Sequence, residues 1–84
     1  MAYTVLIPEP VEREIAGWDD ERRDTFFTKV EKLERYPKKF GKPLRGPLSG
    51  LWELYFENSF RILYSVDDEN RNVYVKEIRH KDDF

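Results

Sequence analysis

The sequence predicts an α+β fold in which an N-terminal strand and a helical hairpin precede an antiparallel sheet, with the two helices packed on one face of that sheet. Two observations predict it. Apolar residues recur at helical spacing as far as Leu33 and then alternate at every second position from Trp52 onward. The chain has 84 residues, enough for one domain over 1–84, and 15% of them are aromatic, which is too many for a disordered chain.

The first half of the chain reads as one strand and two helices. Residues 3–7 are mostly β-branched, aromatic or aliphatic, as strands favour, and a proline follows them at once. Two apolar stripes at helical spacing come next: Val11, Ile15 and Trp18, then Phe26, Phe27, Val30 and Leu33. Asp19 or Asp20 can cap the second helix. Pro37 ends that helix, because the residue before a proline avoids the helical region.

The second half predicts a short strand at 44–45 and three alternating strands at 51–56, 60–66 and 72–78. Turns rich in Gly, Pro, Asn, Ser and Asp separate them. The face toward the helices collects large apolar side chains: Trp52, Leu54, Phe56, Ile62, Tyr64, Val73 and Val75. The opposite face collects polar ones: Glu53, Tyr55, Arg61, Ser65, Tyr74, Lys76 and, if no bulge interrupts the last strand, His80.

Composition excludes several kinds of chemistry. The chain has no cysteine, which excludes disulfides, thiolate catalysis and thiolate zinc sites, and its single histidine excludes a two-histidine metal site. We therefore expect neither a metal nor a cofactor. No apolar run approaches the roughly 20 residues that span a bilayer, and a small domain without disulfides is typical of the cytoplasm.

Charge and position single out three basic features. The net charge is only −2, but a cluster without an acid lies at the joint between the two halves: Lys38, Lys39, Lys42 and Arg45. Arg61 lies inside an apolar strand and points away from the core. It can pair with Glu53 across the strands, or it can hold a phosphate through two hydrogen bonds. The run Arg79, His80 and Lys81 is either a solvated tail or part of the same anion site.

Three segments carry a resemblance: LRGPLSGLWEL at 44–54, FRILY at 60–64 and IRHK at 78–81. Their order and spacing, after a strand and two helices, resemble the RelE/ParE superfamily of toxins. The resemblance implies the toxin of a type II toxin–antitoxin pair, and in the RelE branch a metal-independent, ribosome-dependent mRNA endonuclease. It implies as partners the ribosome, mRNA and a cognate antitoxin that neutralises the toxin in a hetero-oligomer, with no membrane.

The resemblance also implies roles for single residues. Arg61 matches the phosphate-binding arginine. Lys81, or Arg79 in its place, matches a second positively charged residue that stabilises the transition state. His80 matches a general acid or base, since imidazole titrates near neutral pH. Tyr55 and Tyr74 are alternative proton donors. Phosphate contacts are expected from the basic residues Lys38, Lys39, Lys42, Arg45 and Lys76.

The sequence also departs from the pattern. Phe84 stands where many active relatives have a C-terminal tyrosine, Glu53 and Tyr55 stand where some have lysines, and the pI is about 5.4. Two alternatives therefore stay open: a ParE-like inhibitor of DNA gyrase without nuclease activity, and a decayed toxin that retains only antitoxin binding. The aromatic surplus, which includes Phe27 and Tyr36, predicts an apolar surface that an antitoxin helix, with an added strand, would cover.

Overall fold

The computed structural model describes residues 2–83. Over these residues the chain forms two helices and five strands, in the predicted order. Their bounds are β1 Thr4–Leu6, α1 Glu9–Ala16, α2 Asp20–Arg35, β2 Lys42–Pro43, β3 Trp52–Phe56, β4 Phe60–Asp67 and β5 Asn72–His80. Short 3-10 turns follow β2 and β5, at Gly46–Leu48 and Lys81–Asp83. No helix within residues 2–83 is long and apolar enough to cross a membrane.

The strands of the described chain form one sheet in the order β1-β5-β4-β3-β2. Strands β2 to β5 pair antiparallel, as the sequence predicts, whereas β1 pairs parallel with β5 and makes the sheet mixed. The short strand predicted at 44–45 is wrong by two residues, because Lys42 and Pro43 are the ones that pair with β3. Pro43 fits there because an edge strand tolerates a missing N–H donor.

The core lies between the helices and one face of the sheet. It confirms the predicted apolar stripes except at Phe27, which is 46% exposed. Its buried members are Val11, Ile15, Phe26, Val30, Leu33, Leu54, Phe56, Ile62, Tyr64, Val73 and Val75. Helix α2 begins as predicted, because the Asp19 Oδ1 atom accepts a hydrogen bond of 2.8 Å from the backbone N–H of Arg22. Trp18 closes one end of the core by stacking on Phe56, with ring centroids 5.4 Å apart.

Tyr64 fixes the segment that links α2 to the sheet. Its side chain is fully buried, and its hydroxyl donates a hydrogen bond of 2.6 Å to the carbonyl oxygen of Pro37. Gly41 packs so closely on the same side chain that an added Cβ would lie 2.0 Å from the Tyr64 hydroxyl oxygen. Residues 37–43, with their three lysines, are therefore held against the sheet by a buried contact.

A bulge in β5 overturns one prediction. Tyr64 pairs with Val75 but its neighbour Leu63 pairs with Glu77, so β5 contains one extra residue at this point. An extra residue inverts the alternation of every side chain that follows it. Ile78 consequently packs against the core and His80 lies opposite Phe60 on the helix side, so the prediction that His80 shares a face with Arg61 is wrong.

Candidate functional site

The sheet face opposite the helices, called the outer face below, carries Arg61 between two partners. Arg61 lies directly opposite Tyr55 on β3 and directly opposite Arg79 on β5. Its Cζ atom is 4.1 Å from the centroid of the Tyr55 ring, close enough for the guanidinium to stack on that ring. The bulge thus gives Arg79 the position beside Arg61 that the sequence had assigned to His80.

Two carboxylates lie two positions further along the strands, at the next residues of the outer face. Glu53 and Glu77 flank Leu63 from β3 and β5 respectively. The Arg61 Nε atom is 3.4 Å from a carboxylate oxygen of Glu53, and Arg79 forms an ion pair with Glu77. Leu63 is only 1% exposed, so these longer side chains cover it although it points away from the core. The simple cross-strand pairing considered for Arg61 is therefore present in the structure.

Lys42 completes the group that we call the arginine patch: Lys42, Glu53, Tyr55, Arg61, Glu77 and Arg79. Lys42 lies directly opposite Glu53, and its ammonium nitrogen is 5.6 Å from the centroid of the Tyr55 ring. The patch contains three bases and two acids, so its summed charge is positive. Arg61 and Glu53 are both partly shielded, with 22% and 14% of their side chains exposed, which strengthens interactions between charges there.

The two other residues of the predicted catalytic run lie outside the patch. The His80 ring stands edge-on to Phe60 at 5.3 Å between centroids, and its Nδ1 accepts a hydrogen bond of 3.2 Å from the backbone N–H of Asp82. Lys81 begins the last 3-10 turn with an exposed side chain, and its backbone N–H donates to the carbonyl oxygen of Ser59 at 2.7 Å. Phe84 lies outside the described residues.

Tyr74 and Lys76 lie on the outer face but further along it. Tyr74 pairs with Ser65, four positions from Arg61 on β4, which is about 13 Å at the rise of a strand. Its hydroxyl accepts a hydrogen bond of 3.2 Å from Asn72, and the ammonium of Lys76 lies 5.5 Å from its ring centroid. Of the two alternative proton donors, only Tyr55 is beside Arg61.

The predicted basic cluster at 38–45 does not act as one group. Lys38 pairs with Asp68, which also accepts a hydrogen bond of 2.7 Å from the Tyr3 hydroxyl. The hydrogen bonds from Lys38 and Tyr3 hold the pKa of the Asp68 carboxyl below its usual range, and the pKa of Lys38 is raised by the same contact. Asp68 lies seven positions beyond Arg61, about 23 Å along the strand direction.

The other members of the cluster spread out. Lys39 lies over the rings of Tyr36 and Phe40, Arg45 is exposed ahead of the Gly46–Leu48 turn, and only Lys42 reaches the arginine patch.

Sequence reasoning missed Glu77 and the pairing of Arg79 with Arg61, and one signal would have found both. The apolar residues of the last strand are Val73, Val75 and Ile78, so their spacing changes from two to three. Such a change of phase marks a bulge. Among the described side chains, no group of three or more His, Asp or Glu residues is placed to hold a metal ion.

Known proteins resemble this chain along most of its length. A family described as "Phage derived protein Gp49-like (DUF891)" matches residues 13–83. Toxin RelG of Mycobacterium tuberculosis is 37% identical over 51 residues, which are 61% of this chain and 58% of RelG. The match to that relative therefore spans less than two thirds of its length.

Solved structures extend the comparison. A chain of the toxin–antitoxin complex RelBE2 from Mycobacterium tuberculosis is 27% identical, with a TM-score of 0.74, and the match covers 96% of this chain and 100% of that one. The isolated RelE toxin of E. coli is 25% identical, with a TM-score of 0.71 and coverage of 94% and 84%. The chain thus shares its arrangement of helices and strands with both.

Proposed function

Because this chain belongs to the Gp49-like family of phage-derived proteins and has the fold of the RelE/ParE toxins, we propose that it is the toxin of a type II toxin–antitoxin pair that cleaves mRNA on the ribosome without a metal ion. The resemblance seen in its three sequence segments is confirmed for family and fold. One observation carries the proposed activity: Arg61 and Arg79 stand side by side on an open sheet face, with Tyr55 on the other side of Arg61.

Cleavage of RNA by its own 2′-hydroxyl sets three requirements. The 2′-oxygen loses a proton and bonds to the adjacent phosphorus, the bond from phosphorus to the 5′-oxygen breaks, and the leaving oxygen gains a proton. The products are a 2′,3′-cyclic phosphate and a 5′-hydroxyl end. Negative charge grows on the phosphoryl oxygens in between, where positioned cationic donors are most effective. Two neighbouring guanidinium groups supply such donors.

The arginine patch also offers groups for the proton transfers. Tyr55 is 49% exposed and lies against the Arg61 guanidinium, so its hydroxyl is the proposed donor to the leaving 5′-oxygen. Glu53 is the proposed base for the 2′-hydroxyl, because its carboxylate lies 3.4 Å from Arg61 Nε. His80 has no part in this assignment, since it lies on the other side of the sheet.

Purified protein on programmed ribosomes tests the proposal. The parent should cut 5′-labelled mRNA and leave a 2′,3′-cyclic phosphate, an end that attack by the 2′-hydroxyl produces and direct hydrolysis by water does not. Arg61→Ala should lower the single-turnover rate by about 10²-fold or more. Arg61→Lys is the matched control, because it keeps the charge but loses the two-pronged contact with phosphate, and it should be intermediate. A folded parent that leaves ribosome-bound mRNA intact would refute the nuclease.

The two arginine–glutamate pairs favour a second candidate, a toxin that inhibits its target by binding alone. Each guanidinium of the patch has a carboxylate neighbour that a phosphate would have to displace. Inhibition of DNA gyrase, as in the ParE branch, is the concrete form of this candidate. It predicts intact mRNA in the ribosome assay together with loss of supercoiling by purified gyrase.

We also propose an antitoxin partner and a place for it. A mostly apolar groove of about 330 Å³ lies where β1 ends and α1 meets α2, and it is lined by Ile7, Glu12, Ile15, Ala16, Arg23 and Phe27. Phe27 is 46% exposed. An amphipathic antitoxin helix fits such a groove. Phe27→Asp should abolish copurification with the product of the adjacent gene, whereas Thr28→Asp, one position further on the exposed surface of α2, should not. Equal copurification of both variants would place the antitoxin elsewhere.

A further inference from the structure

Two exposed rings lie at the C-terminal end of α2, outside the core and outside the arginine patch. Tyr36 and Phe40 are 52% and 43% exposed, and their centroids are 6.3 Å apart. The ammonium of Lys39 is 5.1 Å from the Tyr36 centroid and 5.6 Å from that of Phe40. The ammonium of Lys32 is 5.2 Å from the Phe40 centroid. Both rings are therefore about half exposed, and each has at least one ammonium group over it.

A groove connects these rings to the arginine patch. Its volume is about 250 Å³, and its lining comes from α2, the segment after it and β3: Lys29, Lys32, Phe40, Lys42, Glu53, Leu54 and Tyr55. The groove lies at the edge of the sheet, where β2 covers β3 only at Trp52 and Glu53. Of the lining residues, Phe40 neighbours Tyr36 and Tyr55 neighbours Arg61.

Charges and rings alternate along this path. From the patch outward the order is Arg61, Tyr55, Lys42, the groove with Lys29 and Lys32, Phe40, Lys39 and Tyr36, and we call this the α2 track. The groove itself has three lysines and one glutamate, and that glutamate is paired with Arg61. The two rings also line a second cavity, of about 620 Å³, in which the two acids Glu31 and Glu34 offset the two bases Lys32 and Arg35. The excess of positive charge therefore lies on the side of the groove.

We propose that the α2 track binds single-stranded RNA, with bases stacked on Tyr36, Phe40 and Tyr55 and phosphates held by the lysines between them. Rings interleaved with cations suit a flexible polyanion, because every base has a stackable face and every nucleotide carries one phosphate. The inference that the track leads the RNA away from the cleavage site rests on the proposed function. Binding itself does not depend on cleavage.

Fluorescence anisotropy with a labelled 12-nucleotide single-stranded RNA tests the track on the intact protein. The double variant Tyr36→Leu, Phe40→Leu keeps apolar area but removes both aromatic faces, and it should bind roughly 5- to 50-fold more weakly. The double variant Lys32→Gln, Lys39→Gln should reduce the slope of log affinity against log salt by about 1.4. Arg13→Gln, on the exposed surface of α1 and outside the track, is the control and should bind like the parent.

Each outcome decides the proposal. If the double leucine variant, shown to be folded by circular dichroism, binds RNA like the parent, the track is refuted. It is equally refuted if that variant loses the adjacent gene product but not RNA, because the rings would then be a protein-docking surface. A parent that leaves ribosome-bound mRNA intact but binds RNA through the rings upholds the track and refutes the nuclease. If the parent cleaves ribosome-bound mRNA but the double leucine variant binds RNA with unchanged affinity, the nuclease is upheld and the track is refuted.

Discussion

Replacing Tyr64 by phenylalanine tests how residues 37–43 are fixed to the sheet. The ring is fully buried and would stay in place, but the carbonyl oxygen of Pro37 would lose the hydroxyl that donates to it at 2.6 Å. Leaving a buried acceptor unsatisfied costs about 1–3 kcal/mol. In a domain of this size each kcal/mol lowers Tm by roughly 4–8 °C, so the expected decrease is roughly 4–24 °C at pH 7.

The same hydroxyl gives the parent a specific response to alkaline pH. Burial raises the pKa of Tyr64 above its ordinary value of 10.0. The stability from this neutral phenol is complete below pH 10 and is lost as pH rises, because the unfolded chain then ionises and the folded one does not. The loss approaches about 1.4 kcal/mol per pH unit. Tyr64→Phe lacks this loss, so its disadvantage relative to the parent should shrink between pH 10 and 11.

Urea unfolding followed by tryptophan fluorescence measures both effects, since Trp52 stacks on Tyr64 at 6.4 Å between centroids. Tyr55→Phe is the matched control, because its hydroxyl is on an exposed ring of the outer face, and it should change the free energy of unfolding by less than about 0.5 kcal/mol. Equal stability of Tyr64→Phe and parent at pH 7 would show that Pro37 gains nothing from the hydroxyl. A constant difference between pH 10 and 11 would show that Tyr64 is not the group responsible for the alkaline loss.

Three further predictions concern the arginine patch and its surroundings. Arg79→Ala should lower the rate of mRNA cleavage on ribosomes about 10²-fold. His80→Ala should lower it less than about 3-fold, because of these two residues only Arg79 lies opposite Arg61. A larger loss for His80→Ala than for Arg79→Ala, in folded variants, would contradict the site. Glu53→Gln should raise the affinity for single-stranded RNA about 2- to 5-fold at low salt, because it removes a carboxylate that competes with phosphate for Arg61. The same variant should lower the single-turnover rate of cleavage. If neither the affinity nor the rate changes, Glu53 has no role in the site. Lys42→Gln should reduce the slope of log RNA affinity against log salt by about 0.7. Lys38→Gln should leave that slope unchanged, because Lys38 is paired with Asp68 at the far end of the sheet. Equal slopes for the two variants would contradict this.

The sequence by itself determined the elements whose signals are local. Helical spacing with a cap at Asp19 or Asp20 specified α2, and strict alternation over β3 and β4 put Tyr55 and Arg61 on the face away from the core. These patterns suffice because a helix or strand that must bury one side repeats its apolar residues at the period of its own backbone. The order of three short segments also indicated the toxin family.

Only the tertiary structure decided which charged groups meet. A single extra residue in β5 exchanged His80 for Arg79 beside Arg61, because side chains of a strand have a period of two and one insertion inverts every later position. Pairing across the fold decided the rest: β1 joined β5 in parallel, and Asp68 took Lys38 away from the patch. Such contacts join residues far apart in the chain, so their partners are set by how the elements pack and not by the pattern within any one of them.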